Sequence, residues 1–317
     1  MTNRHKALAA VITCVLFWGF SFISIKIAVE HIPPMTLGAL RFAIALIILF
    51  YIKRKIAPDE KIRKRDIPLL TAAGLTGVTI YFFFENNGVS LIPASEASII
   101  VGSVPVITLI ADRVGEKISS RRKNAQSVKT NAANDTFLYK YFLPGAGALI
   151  SLTGVAMVAG ISFALSGTAK GYLFMAGSCL SWVFYCFLTR PLFTRCSRIY
   201  IVFWQSVVGF IGFLPFTFLE VFNRKMQTMP LSVWFHVIFL GLCCSALCYL
   251  LYSLALKELG VAVSSLFINV IPIISAIGGF FILGERLTPF QWLGAVLVLA
   301  GVYMAMASPR KSRADKA

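Results

Sequence analysis

The chain has 317 residues, 58% of them apolar and only 14% charged, with a mean hydropathy of +0.79. A soluble protein of this length needs far more polar surface, so the composition excludes that class. The formal charge of +17 would suit a nucleic-acid surface, but the Lys and Arg gather between long apolar runs, and that pattern belongs to a polytopic membrane protein.

Ten apolar segments follow one another, at roughly 7–28, 35–52, 67–87, 94–112, 141–161, 171–189, 199–219, 231–252, 260–283 and 289–307. Each is near the ~20 residues that a helix needs to cross the hydrocarbon core. Their continuity, without period-2 alternation, predicts helices and not a transmembrane barrel. The basic start, Arg4-His5-Lys6, leads into a run that continues through Trp18 to Ile27 with no small-residue cleavage site. It reads as an uncleaved first helix. Most junctions carry breakers, among them Pro33-Pro34, Pro58, Pro93, Pro191, Pro230, Gly260 and Pro289.

Counting basic residues sets the expected orientation. With the N-terminus inside, the inner loops and tails hold 24 Lys and Arg and the outer loops hold 4, with Lys26 and Arg41 left within helices. Both termini are therefore expected in the cytoplasm, with the chain in a cell (inner) membrane. The seven cysteines all fall in or beside apolar runs, where they read as small buried hydrophobes.

The chain also repeats itself. An offset of 167 places Pro105 on Pro272 and Ser98 on Ser265, and an offset of 164 places Trp18 on Trp182. Gly115-Glu116-Lys117 in the first half answers Gly284-Glu285-Arg286 in the second, and Gly147 and Gly154 answer Gly294 and Gly301. Five helices per half is an odd number, so the second half enters the membrane from the opposite side. The expected fold is an all-α membrane protein whose ten transmembrane helices form two inverted five-helix repeats, residues 1–165 and 166–307, with a tail at 308–317. Inverted repeats that meet at a midplane site are a common plan of secondary transporters. From Glu116 to Gly147 is 31 residues against 9 from Glu285 to Gly294; the extra 22 form a basic, polar insert at 119–140, expected to be a cytoplasmic loop.

Phe17-Trp18-Gly19-Phe20-Ser21-Phe22, then Lys26, Pro33-Pro34 and Leu40-Arg41-Phe42, resembles the opening of the EamA-type drug/metabolite transporters. Ala94-Ser95, Pro105, Pro272, Gly284-Glu285-Arg286-Leu287-Thr288 and Trp292-Leu293-Gly294 continue the resemblance through both halves. It implies ten helices, inverted repeats, and export or exchange of small metabolites such as amino acids. The insert departs from the family pattern.

A charge at the bilayer centre costs ~3 kcal/mol or more, so polar groups within the runs are the natural site candidates. Lys26, Arg41, Glu85 and Glu96 are expected at similar depth in the outer third of the first half. Two cations facing two anions there could pair as a packing girdle, or could form an outer gate or a proton site. Arg41 is the leading candidate for a substrate carboxylate, because its planar guanidinium matches one in two hydrogen bonds; its repeat mate is the neutral Gln205. Ser103 and Asn269 lie just before Pro105 and Pro272, where a proline kinks the helix and frees a carbonyl. Trp18, Trp182, Tyr185, Trp204 and Tyr249 lie mid-span, where they either wall a cavity or pack the halves together.

His236, Cys243, Cys244 and Cys248 share part of one helical face, but nothing else in the sequence points to a metal. No nucleotide-binding loop, zinc-protease or triad order is present either, so no enzyme activity and no cofactor is expected. The expected partners are a small-molecule substrate and membrane lipid, not nucleic acid; a proton or counter-substrate and self-association stay open. The alternatives are a bidirectional facilitator and a membrane-embedded transferase, though the one long loop has no His and a single acid, Asp135. A cavity walled by helices 1–4 and 6–9, with helices 5 and 10 as braces, completes the expectation.

Overall fold

In the computed structural model, residues 3–61, 63–112, 143–159, 168–223 and 229–306 are described, and all regular structure among them is helical. Eight helical runs among these residues are long and apolar enough to cross a membrane: α1 (Asn3–Val29), α2 (Pro34–Ile56), α3 (Lys64–Leu91), α4 (Ala94–Asp112), α6 (Ala169–Thr194), α7 (Arg198–Asn223), α8 (Leu231–Glu258) and α9 (Val263–Leu283). Two further apolar helices, α5 (Leu143–Ala159) and α10 (Pro289–Met306), are shorter. The insert at 119–140, Glu116 and the tail lie outside the described residues.

Helix starts follow from local chemistry. Pro33, Pro93 and Pro230 stand extended, with φ near −60° and ψ of 145–150°, immediately before α2, α4 and α8. Proline is favoured there because its ring pre-sets φ and the first turn leaves its N–H groups unbonded anyway. α2 ends on Lys53, Arg54 and Lys55, cations that suit the negative end of the helix dipole. It runs to Ile56 and α8 to Glu258, beyond the expected ends at 52 and 252, because polar residues at the lipid headgroups continue a helix that hydropathy alone cuts short. Gly260 (φ 82°) and Gly284 (φ 68°) bracket α9 in backbone conformations that a side chain would strain; Gly284 is the left-handed cap that ends it.

The transmembrane runs are not uniform. α4 breaks at Gly102-Ser103, where the Ser103 amide turns back to the Ile100 carbonyl at 2.9 Å, one residue before Val104-Pro105. α9 tightens into a 3-10 turn at Ile268–Val270 just ahead of Ile271-Pro272. Wide π turns occupy Leu75–Ile80 in α3 and Leu240–Leu247 in α8.

Helix contacts pair α2 with α7, α4 with α9, α5 with α10, α3 with α6 and α1 with α8. The tightest pair is α5 with α10. A Cβ on Gly154 would lie 2.5 Å from the Gly294 carbonyl oxygen, and one on Gly301 would lie 2.4 Å from the Ser151 amide nitrogen. These are backbone-to-backbone approaches that only glycine permits. Apolar side chains such as Phe222, Leu231, Phe281 and Tyr303 point outward, as a bilayer-facing surface requires.

Between α6 and α7, Cys196 lies beside Asp66, which also accepts a hydrogen bond from Arg195 Nη1 at 3.2 Å. Burial, then the charges of Asp66 and Glu60, push the Cys196 thiol above the ordinary cysteine range. A raised pKa leaves less thiolate at any given pH. Alkylation of Cys196 by iodoacetamide, followed by peptide mass spectrometry, is therefore expected to keep accelerating with pH after an ordinary cysteine has levelled off. A plateau at the ordinary cysteine range would show that the acids do not reach it.

Candidate functional site

The cavity at the centre of the bundle is walled by α1–α4, α6, α8 and α9. α7, expected to contribute, supplies none of its lining, because it turns its buried face toward α2 and α3. The cavity volume is about 30 Å³. That admits a water or two, so the walls must part before a metabolite can enter.

The walls are aromatic. The Trp18 and Trp182 rings meet edge-on at 5.4 Å, Tyr81 lies 5.1 Å from Trp182, and Tyr249 lies 5.9 Å from Trp182. Trp18 Nε1 donates to the Cys244 carbonyl at 3.2 Å, which fixes its ring. The indole N–H of Trp182 is buried without a partner among the described residues. Tyr249 donates from its hydroxyl to the Gly77 carbonyl at 2.7 Å, and Ser181 donates to the Thr76 carbonyl at 2.6 Å. Both acceptors lie in the π turn of α3, so α6 and α8 each grip that irregular segment from the side. Irregular turns of this kind recur at functional sites.

Two ionisable side chains face this cavity. Arg41, on α2, is 1% exposed. Its guanidinium stacks 4.2 Å over the Phe82 ring, and its Nε donates to Ser245 Oγ at 2.8 Å. Its Nη1 is buried without a hydrogen-bond partner among the described residues. Glu85, one helix away, accepts from the Tyr81 hydroxyl at 2.5 Å. No ion pair joins Arg41 to Glu85 among the described residues. A buried charge is costly unless its bonding groups are met. The cavity thus presents a cation with spare donor capacity and a carboxylate, both framed by aromatic rings.

The four ionisable residues expected at one depth separate into two sites. Arg41 and Glu85 turn inward, while Lys26 and Glu96 lie nearer the helix ends. Lys26 Nζ donates to the carbonyls of Val89 at 2.9 Å and Ile92 at 3.0 Å, capping the last turn of α3 as a cation suits a helix C-terminus. Glu96 accepts from the Tyr172 hydroxyl at 2.5 Å and from Gln291 Nε2 at 2.6 Å. The expected pairing of two cations with two anions therefore gives way to four separate partnerships, because each group finds a helix end, ring or hydroxyl closer to hand.

Ser103, Tyr185, Gln205 and Asn269 are not among the lining residues. Ser103 spends its hydroxyl on the Ile100 carbonyl of its own helix at 2.7 Å. Gln205 donates to Thr189 Oγ1 at 2.9 Å. Tyr185 lies behind Trp182, 5.0 Å between rings, against Gly77, where a Cβ would come within 2.1 Å of its ring. Asn269 falls within the 3-10 turn, and its neighbours Ile268 and Ile271 are the ones that reach the cavity. Trp204 packs on Tyr200 and Phe203 away from the centre. Sequence reasoning missed Phe82 and Ser245. The i, i+3 spacing of Phe82 and Glu85 on one helix face was the available signal for Phe82; nothing local marked Ser245.

A membrane-spanning helical bundle around a narrow, aromatic-walled cavity that holds an arginine and a carboxyl is the build of a multi-pass membrane transporter. The chain belongs to the EamA-like transporter family, whose model matches residues 5–122 and 169–307. It is 26% identical over 92% of its length to an uncharacterized transporter of Archaeoglobus fulgidus, of which 95% is covered. It is 23% identical to a probable terminal-alkyne amino-acid exporter of Streptantibioticus cattleyicolor, covering 94% of this chain and 93% of that protein. A probable amino-acid metabolite efflux pump of Escherichia coli is 23% identical over 100% of this chain and 99% of its own. One crystal structure shares the fold with a TM-score of 0.61 at 18% identity, covering 95% and 96% of the two chains.

Proposed function

We propose that this chain exports or exchanges small amphoteric metabolites, amino acids or related carboxylates, across a cell (inner) membrane. The observation that carries this reading is the buried Arg41 Nη1, which has no hydrogen-bond partner among the described residues, in a cavity that also holds Glu85 and aromatic walls. A substrate carboxylate gives Arg41 the acceptor it lacks; a substrate ammonium answers Glu85. The names of the Streptantibioticus and Escherichia relatives, amino-acid exporter and amino-acid metabolite efflux pump, support the same substrate class.

Transport proceeds by alternating access between two inverted five-helix repeats, 1–165 and 166–307, with ten membrane crossings and both termini in the cytoplasm. Several features support this. The family model matches two stretches of the chain, one in each half. The breaks before Pro105 and Pro272, and the π turns opened by Leu75 and Leu240, recur at matching places. Exchanging the halves also maps the helix contacts onto themselves: α3 with α6 becomes α8 with α1, while α2–α7, α4–α9 and α5–α10 are unchanged. The 24-to-4 distribution of basic residues supports the orientation.

The test is a comparison of metabolites in the medium of cells expressing the chain with those of empty-vector cells, followed by counterflow in purified vesicles loaded with the compounds found. A small set of amino acids or related acids enriched outside, and exchanged in vesicles, is the expected result. No enrichment from cells and no counterflow across a panel of amino acids would overturn the reading.

A further inference from the structure

Three carboxylates that the cavity does not use bind helix starts in the opposite half of the chain. Glu220, near the end of α7, accepts from the backbone amides of Met35 at 3.1 Å and Thr36 at 2.8 Å and from the Thr36 hydroxyl at 2.9 Å, all in the first turn of α2. At the other end of α2, 23 residues on and about 34 Å away by helical rise, Glu60 accepts from the Ser197 amide at 2.8 Å and from the Ser197 hydroxyl, at the start of α7. The two ties are reciprocal. The acid that follows α2 holds the start of α7, and the acid that ends α7 holds the start of α2.

Each end carries a second tie between the halves. Glu285, in the turn between α9 and α10, accepts from the amides of Ala94 at 2.8 Å and Ser95 at 2.9 Å and from the Ser95 hydroxyl at 2.6 Å, at the start of α4. Beside Glu60, Arg195 donates to Asp66. The first-turn amides of a helix have no partner within it, and its dipole favours an anion there. Such bonds are stronger than neutral ones, yet they break without unwinding either helix. They fasten two rigid bodies reversibly, and here both ends are fastened around a cavity that holds only a water or two.

We propose that the Glu220–α2 and Glu60–α7 ties, seconded by Glu285–α4 and Asp66–Arg195, are the two gates of this transporter and open in turn. The proposal deepens the alternating-access reading above and rests on it. In this arrangement the same chemistry serves at both faces because the repeat inverts it, and a conformation open to one face keeps the tie at the other.

Cys179 lines the cavity and is 1% exposed, which makes it a native reporter of access. Full-length variants would be labelled with a membrane-impermeant maleimide in right-side-out and in inside-out vesicles, without substrate, and Cys179 modification read by peptide mass spectrometry. Glu220→Ala is expected to raise labelling roughly tenfold from the face that bears the start of α2, and Glu60→Ala by a similar factor from the opposite face. Glu220→Gln and Glu60→Gln keep side-chain shape but lose the charge, and the same opposite-face criterion applies to them should either alanine variant fail to reach the membrane. Folded variants that both open to one face, or that leave labelling unchanged, overturn the proposal. Because no substrate is present, opposite-face labelling in a protein without amino-acid counterflow would uphold the gates and reject the export reading, whereas counterflow with unchanged labelling would do the reverse.

Discussion

Arg41→Ala is expected to reduce counterflow about 100-fold or more, on the scale of ~3 kcal/mol for a lost charged hydrogen bond. The substitution removes the one cation among the described residues of the cavity wall, together with its stacking on Phe82 and its bond to Ser245. It also leaves the buried Glu85 carboxyl, which accepts from the Tyr81 hydroxyl, without the guanidinium across the cavity. Arg41→Lys keeps the charge but not the fork. An ammonium on a flexible stem cannot hold Ser245 with one nitrogen while presenting two more to a carboxylate, so about a tenfold reduction is expected. Ser245→Ala, which removes a positioning partner and no charge, should cost less than either. The measurement is counterflow in vesicles at matched protein content, with melting in detergent as the folding control. An Arg41→Ala variant that is folded and transports like the parent would reduce Arg41 to a packing residue.

The second large effect is on stability. Gly301→Val is expected to destabilise the chain by about 1–3 kcal/mol, the range for overpacking a tight contact. The added Cβ would meet the backbone of α5, Ser151 N at 2.4 Å and Gly147 O at 2.6 Å, and backbone cannot move aside as a side chain can. Gly154→Val should act similarly through Gly294 and Val298. Once either has pushed the helices apart, the other finds room, so the double variant is expected to cost less than the sum. Gly145→Val is the control, since a Cβ there meets nothing within 4 Å. Chemical unfolding in detergent decides it: equal losses at Gly145 and Gly301 would mean that helix propensity, and not the α5–α10 contact, sets the cost.

The helical fold, the membrane location and the family were legible in the sequence because a bilayer imposes local rules. A segment in hydrocarbon must bond its own backbone, so apolar run length, the prolines at 33, 93 and 230 and the glycines at 260 and 284 mark helices without knowledge of any partner. Pro105 and Pro272 likewise announced breaks in their helices from their own positions. Only the tertiary structure decided which polar groups share the cavity. Arg41 and Glu85 turn inward while Lys26 and Glu96, expected at the same depth, cap α3 and bind α6 and α10. Ser103 and the Gln205 amide nitrogen bond elsewhere. The carboxylate ties of Glu60, Glu220 and Glu285 join residues 137 to 191 positions apart, and no spacing rule reaches that far. The physical reason is that sequence periodicity fixes a helix and its burial. The rotation of each helix about its axis, and so the direction of every polar side chain, is set by the neighbours it packs against.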